Sequence, residues 1–280
     1  MSFRSEINSF FSGGTPALTR IIVINVLIFL VSNLYTNFSP SQYLLTYVAL
    51  PSNPWVFLHR PWTLFTYMFL HASFGHILFN MLWLYWMGIL FVEYMGVKRF
   101  LYTYFIGGFA GGLLYLLVFG FAFPQPGLLM GASAGIMAVI MAVAGLIPNY
   151  EMHLLFIGPV KLKYVALGAF ILTSVLDFSV NSGGKVAHIG GALYGLLFVW
   201  QYKKGNDIAE KLSNVFAGIG SIFKGGNAKK AKLTSTRGGR SVPDKQKRVD
   251  DILDKISRSG YESLSKEEKD FLFKSSKGKS

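Results

Sequence analysis

The chain has 280 residues, 52% of them hydrophobic and only 15% charged, with a positive mean hydropathy and no cysteine. That apolar share exceeds the usual soluble composition, and the missing thiols exclude disulfides, thiolate metal sites and a cysteine nucleophile. The net charge of +13 is uneven, with 8 Lys/Arg in residues 1–202 against 19 in residues 203–280, which reads as a basic tail beside a membrane block and not as a nucleic-acid surface.

In chain order, residues 1–17 are polar and carry no convincing cleavage site, so they are predicted to be a cytoplasmic N-terminal segment ahead of a retained span. A spanning helix needs roughly 20 mostly apolar residues. Six such segments are predicted, at about 18–34, 76–95, 100–121, 133–148, 160–178 and 186–202. The fourth is short, as suits a helix that begins below the membrane surface. An even count puts both termini on one side. With the N-terminus inside, the inner segments carry Arg4, Arg20, Lys98, Arg99, Lys161, Lys163, Lys203 and Lys204, and the outer loops only Arg60 and Lys185. The positive-inside bias therefore favours an N-in, C-in orientation.

The first loop, 36–75, is long and aromatic, with Trp55, Phe57, Trp62, Phe65, Tyr67 and Phe69. It is expected to lie partly in the interface, where Trp and Tyr are favoured. Residues 205–248 read as a flexible basic linker. From 249 a small helical segment is predicted: Val249, Ile252, Leu253 and Ile256 fall at helical spacing, Gly260 stops that helix, and Ser265-Lys-Glu-Glu268 is a capping box for a second one.

Two polar side chains stand inside the apolar block where lipid should exclude them: Ser133, in Gly131-Ala-Ser-Ala-Gly135, and His188, in Ala187-His-Ile-Gly-Gly191. Such residues are functional candidates, and serine with histidine is the smallest set that makes a hydroxyl nucleophilic. Alone, Ser133 reads as helix packing, since Gly131 and Gly135 form a small-xxx-small pair. Gly191 and Gly195 share a helical face with His188 and let that helix approach another backbone. If the partner is the Gly131–Gly135 face, His188 comes beside Ser133. His76 and Asn80 are four apart on one helix face, and both can donate to a developing oxyanion.

These motifs, in this order within six spans, resemble the rhomboid family of intramembrane serine proteases over about residues 18–204. Gly131-Ala-Ser133 is similar to the family's nucleophile motif, His188 with Gly191 and Gly195 to its sixth helix, His76-Ile-Leu-Phe-Asn80 to its His-x-x-x-Asn segment, and Trp62 to the tryptophan of its first loop. The resemblance implies an all-α membrane protein, a six-helix bundle with a small cytoplasmic tail. It implies a Ser133–His188 dyad without a third acidic member. His76, Asn80 and the Ser133 N–H would form the oxyanion hole, and Glu93 would tie inner loops together. It also implies transmembrane protein substrates with a small residue before the cut, and no cofactor. Three positions depart from the pattern. Thr63 follows Trp62 where the family has Arg, Ala134 follows Ser133 where Gly is common, and Met137 stands where the family often has an aromatic against the base. Lower or more selective activity is expected from these.

No metal site is expected: His59, His71, His76 and Glu93 lack a ligand motif. The competing functions are an inactive rhomboid-like scaffold that binds membrane proteins, and a small-solute transporter. Neither the intact Ser/His pair nor the lack of an inverted repeat favours them. The expected location is the bacterial plasma membrane. The tail is expected to meet a cytoplasmic partner or anionic lipid.

Overall fold

The computed structural model describes residues 15–38, 43–154, 157–176, 182–211 and 244–277. The chain falls into two compact units, 1–223 and 224–280.

The first unit is a helical body. Helix α1 spans Pro16–Phe38. Short helices α2 (Tyr43–Val48), α3 (Pro54–His59) and α4 (Thr63–Thr66) build the first loop, with the two-residue strand β1 (Leu50–Pro51) between α2 and α3 and a 3-10 turn, Tyr67–Phe69, after α4. Helix α5 runs Phe74–Leu116 but breaks at Gly96, whose φ of 82° is open to glycine and strained for other residues. It continues as a π-turn over Leu117–Ala122. Strand β2 (Leu128–Leu129) precedes helix α6 (Ser133–Leu146). Strands β3 (Glu151–Leu154) and β4 (Gly158–Lys161) pair antiparallel before helix α7 (Leu162–Phe170), which ends in the π-turn Ile171–Val175. Helix α8 spans Ser182–Lys203.

Pro16–Tyr35 and Phe74–Ala122 are each long and apolar enough to cross a membrane, and Ser133–Leu146 and Leu162–Val175 are shorter apolar helices. Exposure follows helix periodicity in a sense opposite to that of a water-soluble protein. Leu27, Leu30, Val31 and Leu34 lie exposed along one stripe of α1, and Leu193, Leu196, Leu197 and Trp200 along one stripe of α8. The inward side of α8 carries Gly184, Gly191, Ala192 and Gly195 together with Lys185, His188 and Phe198. Hydrocarbon outside and close backbone contact inside is the pattern expected of helices solvated by lipid.

The predicted segment at 186–202 starts too late, since α8 begins at Ser182, so His188 sits in its second turn. The predicted spans at 76–95 and 100–121 are continuous in α5, joined across the Gly96 kink. The predicted boundary at 204 is also early. Asp207 pairs with Arg99 at 2.7 Å, its other oxygen accepts from Glu210 N, and Ala209 is fully buried, so the helical body holds residues beyond 204. Glu93, expected to tie the inner loops, is exposed and has no ion pair among the described residues. The Arg99–Asp207 pair ties α5 to the segment after α8, with Arg99 Nη1 also donating to Met95 O at 2.9 Å. Of the linker at 205–248, residues 212–243 lie outside the described residues.

The second unit is a helical hairpin, α9 (Asp244–Ser259) and α10 (Lys266–Lys277), and α9 starts five residues before the predicted segment. Gly260, at a φ of 78°, ends α9 and donates to Ile256 O at 2.8 Å. The capping box forms in both directions: Glu268 N donates to Ser265 Oγ at 3.2 Å and Ser265 N to Glu268 Oε2 at 2.8 Å. Lys255 on α9 adds an ion pair to Glu268 at 2.9 Å. These contacts, Lys255 first and the Ser265 N–H second, hold the Glu268 carboxyl below its usual range. A depressed carboxyl stabilises the fold above its unfolded value of about 4.3 and loses that contribution as pH falls through the folded value. Amide exchange in the full chain should therefore speed up in 260–272 as pH drops below that point, after correction for intrinsic rates. Glu268→Gln should remove this pH dependence. A hairpin equally protected on both sides of that pH would show that the ion pair and cap contribute nothing.

Candidate active site

Two glycines let α8 lie on α6. A Cβ on Gly191 would strike the Ala134 carbonyl oxygen, and one on Gly195 the Ala138 carbonyl oxygen. The residues that meet these glycines are not Gly131 and Gly135, the face that the sequence offered. Gly191 and Gly195 meet Ala134 and Ala138, while Gly135 faces Tyr104 on α5 and Gly131 faces His76. Because the glycines on α8 already give the clearance, alanines suffice opposite them. Gly190 adds a close approach to Ala110 and Gly111 on α5.

This crossing brings His188 Nε2 to 2.6 Å from Ser133 Oγ. On the other side of the ring, Nδ1 lies 3.1 Å from Thr173 O. A carbonyl oxygen can only accept, so Nδ1 carries the proton and Nε2 turns its lone pair to the serine hydroxyl. Thr173 is in the π-turn that closes α7, and Leu176 beyond it is extended. The last carbonyls of a helix lack intrahelical donors, which leaves this one free to orient the imidazole as a carboxylate would in a triad. Thr173 was not singled out from sequence. The atom concerned belongs to the backbone, and only the end point of α7 makes it available.

Ser133 is the first residue of α6, and the Ala132 cap makes no side-chain bond to the helix N-terminus. The Ser133 N–H is therefore among the donors without an intrahelical partner. Gly131, just before it, has a φ of 134°, a region disfavoured for residues with a Cβ. Its N–H donates to Tyr67 O at 3.0 Å. The first loop thus fixes the approach to Ser133, helped by β1 pairing with β2 (Leu50 opposite Leu129). Added Cβ atoms at Gly131 would meet His76 Nε2 at 2.9 Å and Ser133 Oγ at 3.4 Å, so both groups converge on one point.

His76 lies in the first turn of α5, where its N–H donates to the Ser73 cap at 3.2 Å. Ala72 N donates to His76 Nδ1 at 3.4 Å, leaving Nε2 as the protonated nitrogen of the neutral ring. Asn80, one turn on, is buried, and its Nδ2 has no partner among the described residues. An amide left unbonded in the interior costs about 1–3 kcal/mol, a cost that an arriving acceptor would relieve. His76, Asn80, Ser133, Met137, Thr173 and His188 all line one cavity of about 600 Å3.

His71 stands edge-on to His76, with ring centroids 5.0 Å apart. Glu93 lies on the same helix as His76 but 17 residues further along, roughly 25 Å of rise. His59 Nδ1 donates to its own turn at Trp55 O. These residues do not gather round one point.

The first loop solves the Thr63 departure with another residue. Arg60 donates to Thr46 O at 2.8 Å and lies 3.9 Å over the Tyr47 ring. Thr63 Oγ1 donates to Arg60 O at 2.6 Å, and Trp62 Nε1 to Tyr47 O at 2.8 Å. An arginine three residues earlier than the family position thus ties the loop to α2.

Comparison with known proteins agrees with this architecture. The Rhomboid domain family matches residues 58–205, and a family of unknown function (DUF6576) matches residues 243–278. RHOMBOID-like protein 1 of Arabidopsis thaliana is 32% identical over 143 residues, 50% of this chain and 34% of that protein. Rhomboid-like protease 3 of Toxoplasma gondii is 26% identical over 193 residues, 67% of this chain and 70% of that protein. The mitochondrial presenilin-associated rhomboid-like protein of Homo sapiens is 31% identical over 206 residues, 70% of this chain and 52% of that protein. The chain thus spans only about a third to a half of the length of some of its relatives.

Proposed function

This chain belongs to the rhomboid family and is an integral membrane protein of the all-α class, and from that premise we propose that it is a serine endopeptidase that cuts transmembrane proteins near the outer face of the membrane. The observation that carries the reading is the 2.6 Å contact between Ser133 Oγ and His188 Nε2, with Nδ1 tied to Thr173 O.

In this reading Ser133 Oγ attacks the scissile carbonyl while His188 Nε2 takes its proton. The tetrahedral oxyanion is met by Asn80 Nδ2, His76 Nε2–H and the Ser133 N–H, of which one well-placed donor is worth roughly 3–4 kcal/mol. The imidazolium then protonates the leaving amine, and the ester remains on Ser133. Water enters, gives its proton to His188 and attacks the ester. The proton returns to Oγ as the acid product leaves. No cofactor takes part. A peptide bond inside a helix is shielded by its own hydrogen bonds, so suitable substrates carry Gly, Pro or polar residues that loosen them near the outer face.

Taking α5 as two spans broken at Gly96 gives a six-span bundle with both termini inside. Support comes from how the ends segregate. Arg99, Asp207, Lys203 and the end of α6 meet at one end, where Lys203 donates to Gly145 O at 2.7 Å. The first loop and β2 meet at the other, through Ser52 N to Gly127 O at 2.9 Å. A bacterial plasma membrane suits this orientation, and the basic stretch before α9 suits anionic lipid on the inner leaflet at about 1 kcal/mol per cation near the surface.

The test is a fluorophosphonate probe with purified protein in liposomes, read by the mass of the Ser133 peptide. Labelling of Ser133 and cleavage of a co-reconstituted transmembrane substrate, both lost in Ser133→Ala, are expected. Cleavage at the wild-type rate in Ser133→Ala removes the catalytic assignment, and a wild-type protein that neither labels nor cleaves points to a binding scaffold.

A further inference from the structure

Lys185 is buried in the apolar body with 8% of its surface exposed. A buried cation is costly in such surroundings unless something specific receives it. Its Nζ donates to Leu176 O. Leu176 is the extended residue at which the chain leaves α7. Lys185 and His188 are three apart on α8 and so share a face. The carbonyls they hold, Leu176 and Thr173, are also three apart. One turn of α8 is therefore stapled to the last turn of α7 at two points, of which His188 is one.

A single carbonyl at the end of a helix is a poor guide for an imidazole, because helix ends fray. The π-turn adds to this, since its wider ring departs from the α-helical ladder. Thr173 Oγ1 also bonds back to Ala169 O at 2.7 Å, an arrangement that bends helices and does not stiffen them. Something must hold the Thr173 carbonyl in place, and Lys185 grips the chain three residues on. We infer that Lys185 is a positioning residue for His188: by fastening Leu176 it keeps the Thr173 carbonyl on Nδ1, and so keeps Nε2 facing Ser133. This rests on the proteolytic reading for its effect on rate, but not for its effect on the ring.

The inference is tested on the full chain with Lys185→Met, Lys185→Gln and Lys185→Arg. Cleavage gives kcat and KM separately, and 15N spectra of the imidazoles give the tautomer. The chain has five histidines, which makes assignment of His188 direct. In the Met variant kcat should fall roughly tenfold or more, as misplaced catalytic groups do, with KM unchanged and the Nδ1–H form of His188 giving way to a mixture. The Gln variant, which is shorter and uncharged, should read the same and covers the case in which Met does not fold. Arg, whose guanidinium can still reach a carbonyl, should restore both readings. A Met or Gln variant with wild-type kcat and an unmixed tautomer overturns the inference. So does a loss equally deep in Arg with the tautomer intact, since that would be a stability effect. Should the wild type prove inactive, the spectra alone decide the matter, and the protease reading fails separately.

Discussion

Replacing His188 by alanine should reduce cleavage by roughly ten-thousandfold or more, and Ser133→Ala should do the same. The double variant should be no worse than either single one. The two side chains share one hydrogen bond of 2.6 Å, and in the proposed mechanism both act on one proton, so removing either would end the same event. Groups that work as a unit show this strong non-additivity. Residual turnover from the oxyanion donors should be equal in all three variants. Rates in liposomes, taken over long incubations, supply the measurement. A modest loss in His188→Ala beside a complete loss in Ser133→Ala would mean that another base serves the serine. Losses that multiply in the double variant would mean that the two residues contribute independently.

The Ser–His juxtaposition was legible because lipid makes polar residues conspicuous. Ser133 and His188 interrupt apolar segments, and the glycines after His188 mark the face that must press against a backbone. What sequence could not resolve was which small residues stand opposite. Glycine on α8 gives the clearance, so Ala134 and Ala138 serve, and the more visible Gly131 and Gly135 do other work. Gly131 supplies a backbone angle beside His76, and Gly135 admits Tyr104.

Backbone atoms left no trace in the residue pattern. The Thr173 carbonyl holds the His188 imidazole only because α7 stops just after it, and helix ends are the part of a fold that periodicity fixes least well. Thr63 stands where the family has arginine, and Arg60 ties the first loop to α2, because a loop can bring a long side chain to one place from several positions. The tail was easier. Its capping box and stop glycine are local chemistry, decided within four residues, and both form. Its helix nevertheless begins at Asp244, ahead of the apolar stripe used to find it.

Gly191→Val carries the sharpest consequence of the packing. Gly191 lies three residues after His188, and Ala134 directly follows Ser133, so the contact between them sits beside the Ser133–His188 hydrogen bond. A valine side chain would drive into the Ala134 carbonyl, which is backbone and cannot swing aside. The helices must part, and in lipid no hydrophobic force draws them back, because lipid tails are as apolar as the side chains. A shift of about 1 Å between reacting groups costs on the order of a hundredfold, and the steric demand here is at least that large. Gly191→Val should therefore lose a hundredfold or more in cleavage and in fluorophosphonate labelling alike, although Ser133 and His188 are both intact. Gly168→Ala is the matched control: a Cβ there meets nothing within 4 Å, and alanine favours the helix, so activity should hold. Near-normal labelling of Gly191→Val would mean that α6 and α8 can separate without parting Ser133 from His188, and the proximity on which the dyad rests would then have some other source.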